Sequence, residues 1–143
     1  MDRNSLEIIN GVLSRNIDIE YLKPVIIEAI EAIILSVENK GKILICGNGG
    51  SASDSEHIVG ELLKEFYIKR PIGDEMRAAL IDSYKEEGEF IAEKLQGAIP
   101  AISLSAHTAF LTAFSNDVED SLAFAQQVHG YGEEGDILIC LST

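Results

Sequence analysis

Positive charge is what this chain has least of. Its 143 residues hold 11 lysines and arginines against 24 aspartates and glutamates, a net charge of −13 at pH 7. Nucleic acids and anionic membranes are bound through a basic field, so neither is a partner here. Cysteine is scarce too: Cys46 and Cys140 alone, each ending an apolar, strand-like run. Both read as buried, reduced core residues without a redox or metal role, which suits a cytoplasmic protein. Long hydrophobic runs are missing. The most apolar stretch, Val25 to Val37, is interrupted by Glu28 and Glu31 and is too short to cross a bilayer. The opening MDRNSLEIIN has no basic region followed by an apolar segment, so no secretory leader is visible.

What is present suffices for one domain with a real core, since 46% of the residues are hydrophobic. Leu6, Ile9 and Leu13 lie at helical spacing and predict a helix over Ser5–Ser14. A second helix is predicted over Val25–Asn39, with Pro24 tolerated in its first turn. Its apolar residues wrap well over half its surface, which predicts burial on more than one side, under the domain or against another subunit. Residues 1–40 are thus N-terminal helices, and 41–143 begin an α/β core.

That core is organised around KILICGNGGSASDSEHIVGEL, Lys42 to Leu62. Ile43-Leu44-Ile45-Cys46 is too short for an ordinary helix and reads as a buried strand. Gly47, Gly49 and Gly50 allow a turn that points successive N–H groups at one place. Ser51 or Ser53 can cap a helix running from about Ala52 into Phe66. Strand, glycine turn and helix N-terminus together form an anion cradle, most often for phosphate. His57 and Glu61, four residues apart, share one face of that helix. The bland alternatives are an ordinary strand-to-helix turn and a solvated side-chain pair.

The polar region Tyr67–Gln96 does not read as sheet. Arg70-Pro71 breaks the chain, Asp74 can cap a helix from Glu75 to about Lys85, Glu86-Glu87-Gly88 interrupts it, and Phe90–Leu95 resumes. A second strand is predicted at Pro100–Leu104, a helical turn at His107–Phe114, a loop at Asn116-Asp117, a helix over Val118–Val128 and a third strand at Asp136–Cys140. Strands apolar on both faces and separated by helices belong to a doubly wound parallel sheet. Ligands bind such sheets at the carboxyl ends of the strands, so Gly47–Ser51, Asn116-Asp117 and Ser142-Thr143 can converge on one crevice. A third strand that ends there leaves an uncovered edge, and the chain is expected to be a fragment of a longer protein with only the first three strands present.

CGNGGSASDSEH with Glu61 four residues on, then SND, then GDILICLST, resembles the SIS (sugar isomerase) domain family. Within it the similarity is greatest to the phosphoheptose isomerases, which interconvert sedoheptulose 7-phosphate and D-glycero-D-manno-heptose 7-phosphate for surface-glycan precursors. The resemblance implies a flavodoxin-like fold flanked by helices, with the N-terminal helices in a homo-tetramer interface. It implies that Asn48, Gly49, Gly50 and Ser51 bind substrate and its phosphate, and that Ser142 and Thr143 begin a second phosphate loop. Asn116 and Asp117 are implied to contact the sugar, Glu61 to act as acid/base, and His57 and Glu61 to contribute to a zinc site; no organic cofactor is implied. The segment Gly73–Gln96 departs from the shorter family members as a helical insertion. The family's later Gln and His, which complete the catalytic and metal set, have no counterpart before Thr143, so this chain alone is expected to be inactive. Sister SIS proteins leave two other readings open. One is a non-catalytic module that binds phosphosugars or a replication-initiator protein. The other is an isomerase of a different phosphosugar.

Overall fold

A computed structural model describes residues 3–143. The chain forms two compact units, one ending at Lys40 and the other spanning Gly41–Thr143. The first holds helix α1 (Arg3–Arg15), a 3-10 segment (Ile17–Leu22) and helix α2 (Lys23–Glu38). In α1, Ile9 and Leu13 are buried one turn apart. Pro24 sits in the first turn of α2, where its missing N–H is not needed. The predicted burial of α2 on more than one side is not met within this chain: Val25, Ile34 and Leu35 are 59%, 42% and 61% exposed. Apolar residues encircle its axis, so cover on one side leaves the others in solvent.

The second unit is α/β: β1 (Ile43–Cys46), α3 (Gly50–Leu63), α4 (Asp74–Lys94), β2 (Ala101–Ser103), α5 (Thr108–Phe114), α6 (Ala123–Tyr131) and β3 (Ile137–Cys140). The strands form one parallel sheet in the order β2-β1-β3. All four residues of the central β1 are buried, so it has no polar face. Side chains alternate across a strand, so Ile43 and Ile45 face one way and Leu44 and Cys46 the other. Ser103, in register with Ile45, meets Ser55 of α3 on the first face. Phe124 and Val128 of α6 pack on Leu44, Cys46 and Leu104 on the second. Helices on both faces of parallel strands are the predicted α/β architecture.

The register of β3 is held by charge. Asp136 takes the Lys42 ammonium at 2.6 Å, the Lys42 N–H at 2.8 Å and the Glu133 N–H at 2.8 Å. Burial pushes the Asp136 carboxyl up, but these hydrogen bonds and the Lys42 charge outweigh it and hold the group below its ordinary range.

Several local expectations are corrected. The helix after β1 starts at Gly50 and ends at Leu63, and its N-cap is Gly49, not Ser51 or Ser53. Gly73 rather than Asp74 occupies the N-cap of α4, whose break falls at Lys85 (φ 53°, ψ −122°), ahead of the predicted interruption. There the helix doubles back: a Cβ on Gly88 would come within 2.0 Å of the Leu80 carbonyl oxygen, so only glycine fits the crossing. The predicted loop at Asn116-Asp117 is a helical turn, Ser115–Glu119, and the next regular helix begins only at Ala123. Neighbouring polar side chains hold this turn: Ser115 Oγ donates to the Asp120 carboxylate at 2.6 Å, and Glu119 caps the next short helix by accepting from Ser121 N–H at 3.1 Å. Cys46 is buried as expected, but Cys140 is exposed, because β3 is an edge strand.

Candidate functional site

The carboxyl end of β1 runs into Gly47, and Ser105 ties that residue down. Its hydroxyl accepts from the Gly47 N–H at 3.2 Å and donates to the Gly47 carbonyl at 2.7 Å. Gly49 then takes φ 57° and ψ −122°, a conformation open to glycine and strained for other residues, and α3 begins at once. No side chain caps this helix, whose positive dipole end lies at the glycine turn, and the N–H groups of Ser51, Ala52 and Ser53 donate to the carbonyls of Asn48 and Gly49.

A cavity of about 370 Å³ lies along one side of α3, lined by Ser51, Asp54, His57 and Ile58 and by Leu141, Ser142 and Thr143; Asn48, Gly49 and Gly50 do not line it. A larger one, about 520 Å³, shares Leu141 and Ser142 with it and extends past Gly47 and Asn48 to Cys46, Cys140 and α6. A third, about 290 Å³, is bounded by Asn48, Ser115, Asp120 and Ser121. Of the residues singled out in the sequence, Ser51, His57, Ser142 and Thr143 therefore share one space, and Asn48 lines the two beside it. Asn116 and Asp117 line none of the three; both are exposed on the turn next to Ser115.

Glu61 lies one helical turn beyond His57, outside the first cavity. Its Oε1 receives the Lys64 ammonium at 3.1 Å and lies 4.0 Å from His57 Nε2. Its Oε2 is buried and has no hydrogen-bond partner among the described residues. A buried carboxylate oxygen left unpaired costs about 1–3 kcal/mol or more, and such atoms mark places where a proton or ligand is to be received. His57 by contrast is 77% exposed. Zinc needs three or four protein donors. His57 and Glu61 make two, and no group of three or more His, Cys, Asp or Glu among the described residues is placed to hold a metal. The residues present do not by themselves fit zinc.

The structure adds residues that the sequence did not single out. Ser55 is fully buried, donates to the Ala52 carbonyl at 2.7 Å and meets the Ser103 hydroxyl at 2.9 Å, which seats α3 on β2. At the other end of α3 the Arg70 guanidinium accepts no proton but donates to the carbonyls of Glu61, at 3.0 Å, and Leu62, at 2.9 Å, and to that of Lys64. It joins the Ile99 N–H, which also reaches the Leu62 carbonyl at 2.9 Å, in satisfying the C-terminal end of the helix. Serines within apolar strand ends, at Ser103 and Ser105, were the available signal.

The SIS domain family matches residues 12–95, more than half of the chain. The phosphoheptose isomerase of Azoarcus sp. (strain BH72) is 31% identical over 143 residues, all of this chain and 59% of the relative. That of Helicobacter pylori (strain P12) is 35% identical over 125 residues, 87% of this chain and 52% of the relative. Among solved structures, phosphoheptose isomerase GmhA from Neisseria gonorrhoeae superposes with a TM-score of 0.62 at 26% identity, over 99% of this chain and 59% of that one. A phosphoheptose isomerase from Francisella tularensis gives 0.63 at 29% identity, over 97% and 62%. The chain thus spans about six-tenths or less of these relatives' length. A glycine turn between a buried parallel strand and an uncapped helix, followed by the His57/Glu61 pair, is here accompanied by a family match through the same residues, and the chain belongs to the SIS domain family.

Proposed function

We propose that this chain carries the phosphosugar-binding part of an aldose–ketose isomerase that converts sedoheptulose 7-phosphate to D-glycero-D-manno-heptose 7-phosphate in the cytoplasm. The observation that carries the reading is the cavity beside α3 where Ser51 faces Ser142 and Thr143, which shares Leu141 and Ser142 with the cavity lined by Gly47 and Asn48. Backbone N–H groups of the turn at Asn48–Gly50 and the three hydroxyls receive the phosphate, which needs no basic side chain and so is compatible with a net charge of −13. Isomerisation moves a proton between adjacent carbons through an enediol, and a carboxylate base must reach that proton. Glu61, with one oxygen unpartnered, takes that role, and Asn116 and Asp117 contact the sugar from the opposite turn. His57 and Glu61 offer two donors to a zinc ion that further ligands would have to complete; no step is assigned to it.

Residues 1–143 alone are expected to bind the sugar phosphate without turning it over. Turnover is tested in a hybrid in which they replace the matching part of the Neisseria gonorrhoeae protein. The hybrid converts sedoheptulose 7-phosphate, and Glu61→Gln binds it but loses about 10²-fold or more in rate. Unchanged turnover in Glu61→Gln sinks the role given to Glu61. A non-catalytic phosphosugar-binding module is the second reading, favoured by the position of Glu61 outside the cavity. A hybrid that binds but never isomerises selects it. Conversion of a different sugar phosphate in preference to the heptose selects the third, a sister isomerase. The exposed apolar residues of α2 support a homo-tetramer built through the N-terminal helices.

A further inference from the structure

We propose that Cys46 and Cys140 are a reversible dithiol–disulfide pair, closed by hydrogen peroxide, at the sheet end that carries the glycine loop. The two residues are 94 positions apart in the chain yet directly opposite in the register of β1 and β3. Their sulfurs lie 3.5 Å apart, and both are free thiols. Neighbouring strands run about 4.8 Å apart, inside the range of Cα separations that a disulfide spans. Both thiols line the same cavity, about 520 Å³, so a small oxidant has a path to the pair. Of the sequence reading of two reduced core residues, Cys46 is buried as expected and Cys140 is not.

The pair is asymmetric in the way that a stepwise oxidation requires. Cys140 is exposed on the edge strand, whereas Cys46 is 7% exposed. Burial first, then the hydrogen bond and charge of Cys140, push the Cys46 thiol up to about 11. Cys46 therefore stays protonated, and Cys140 meets peroxide first. Its sulfur attacks one peroxide oxygen, the O–O bond breaks, and a sulfenic acid and one water form. Oxidation of Cys140 removes the hydrogen bond and charge that help to hold Cys46 protonated. The Cys46 sulfur then displaces the sulfenic hydroxyl, which leaves as a second water with the thiol proton, and the S–S bond closes. Two thiols have lost two electrons and two protons, and one peroxide has become two waters.

Closure draws the sulfurs from 3.5 Å to about 2.05 Å across a seam already fixed by backbone hydrogen bonds, among them Leu141 N–H to the Cys46 carbonyl at 2.8 Å. Gly47 and Leu141 follow the two cysteines directly, so oxidation acts on the backbone of both loops that bound the site. This inference does not depend on the isomerase reading.

The 143-residue chain is treated with a few equivalents of hydrogen peroxide, and its intact mass, free thiols and non-reduced peptide map are read. The expected result is a monomer lighter by about 2 Da, with both thiols lost together, a peptide linking Cys46 to Cys140, and full recovery with dithiothreitol. In Cys140→Ser, Cys46 should keep its thiol at the same dose, with no such mass loss. Should the variant misfold, the wild-type mass and map decide alone. A gain of about 16 or 32 Da at Cys140 with Cys46 still free, or an intermolecular dimer through Cys140, overturns the proposal.

Discussion

Asp136 is the residue whose charge matters most to the frame of the site. Its carboxylate joins the start of β3 to that of β1 through Lys42, with side chains 7% and 22% exposed. Removing one partner leaves the other charge unpaired in a largely buried place, and Asp136→Asn should cost about 3 kcal/mol at neutral pH. The sign of the pH dependence follows from the lowered carboxyl. Folding holds Asp136 ionised below its unfolded pKa of about 3.9, so the stabilisation is complete above that value and is lost as pH falls through the folded one. Urea melts at pH 7 should separate wild type from Asp136→Asn clearly, and the gap should narrow below about pH 4. A gap independent of pH down to acid denaturation would show that the ion pair contributes nothing. At this scale the sequence was informative wherever spacing decides. His57 and Glu61 had to share a helical face, and they do. It was silent where a small polar residue looks the same buried or solvated: Ser55 and Ser105 anchor the helix and the loop, and nothing in their local pattern distinguishes them from Ser51 or Ser53.

Among the elements, α3 carries the weight, since it holds the proposed phosphate cradle at its start and Glu61 near its end. Its seat on β2 is the hydroxyl contact between Ser55 and Ser103. Ser55→Ala leaves the Ser103 hydroxyl unpaired in the core and should cost about 1–2 kcal/mol. The double change Ser55→Ala with Ser103→Ala should cost less than the sum of the two, because the second removes a group already orphaned. Strict additivity in thermal or urea melts would mean that the contact is incidental. The existence and kind of α3, β1 and β3 were legible, because a four-residue apolar run and a helical periodicity each admit few alternatives. Their ends were not, because caps depend on geometry. Gly49 starts α3 by adopting a φ that serine cannot easily take, and Lys85 turns α4 without the glycine that such a turn usually asks for. Asn116-Asp117 misled because both residues serve turns and helix ends alike.

On the scale of the whole molecule, an acidic chain with a parallel sheet presents one end of that sheet to ligands. The loops after β1 and β3 meet there, and Asn48 connects their cavities to the turn after α5. No helix among the described residues is long and apolar enough to cross a membrane. The proposed tetramer has its own check. Light scattering on the purified chain should give four copies, and Leu35→Glu, on the exposed apolar side of α2, should give a smaller assembly. A monomer in both cases contradicts assembly through that helix. Fold class and the glycine turn between β1 and α3 were readable from residue pattern, but the reach of the cavity was not. That Ser142 and Thr143 come to His57 and Ser51, while Glu61 stays a turn away, follows from side-chain packing that no linear spacing encodes.

The most direct measurement is a titration of the isotope-labelled chain with sedoheptulose 7-phosphate and, separately, with unphosphorylated sedoheptulose, followed by amide NMR. The phosphorylated sugar should shift the amides of Asn48 to Ala52 together with Ser142 and Thr143, and the unphosphorylated one should leave them in place. Equal responses to both sugars, or shifts confined to other parts of the chain, would contradict a phosphate cradle at the start of α3.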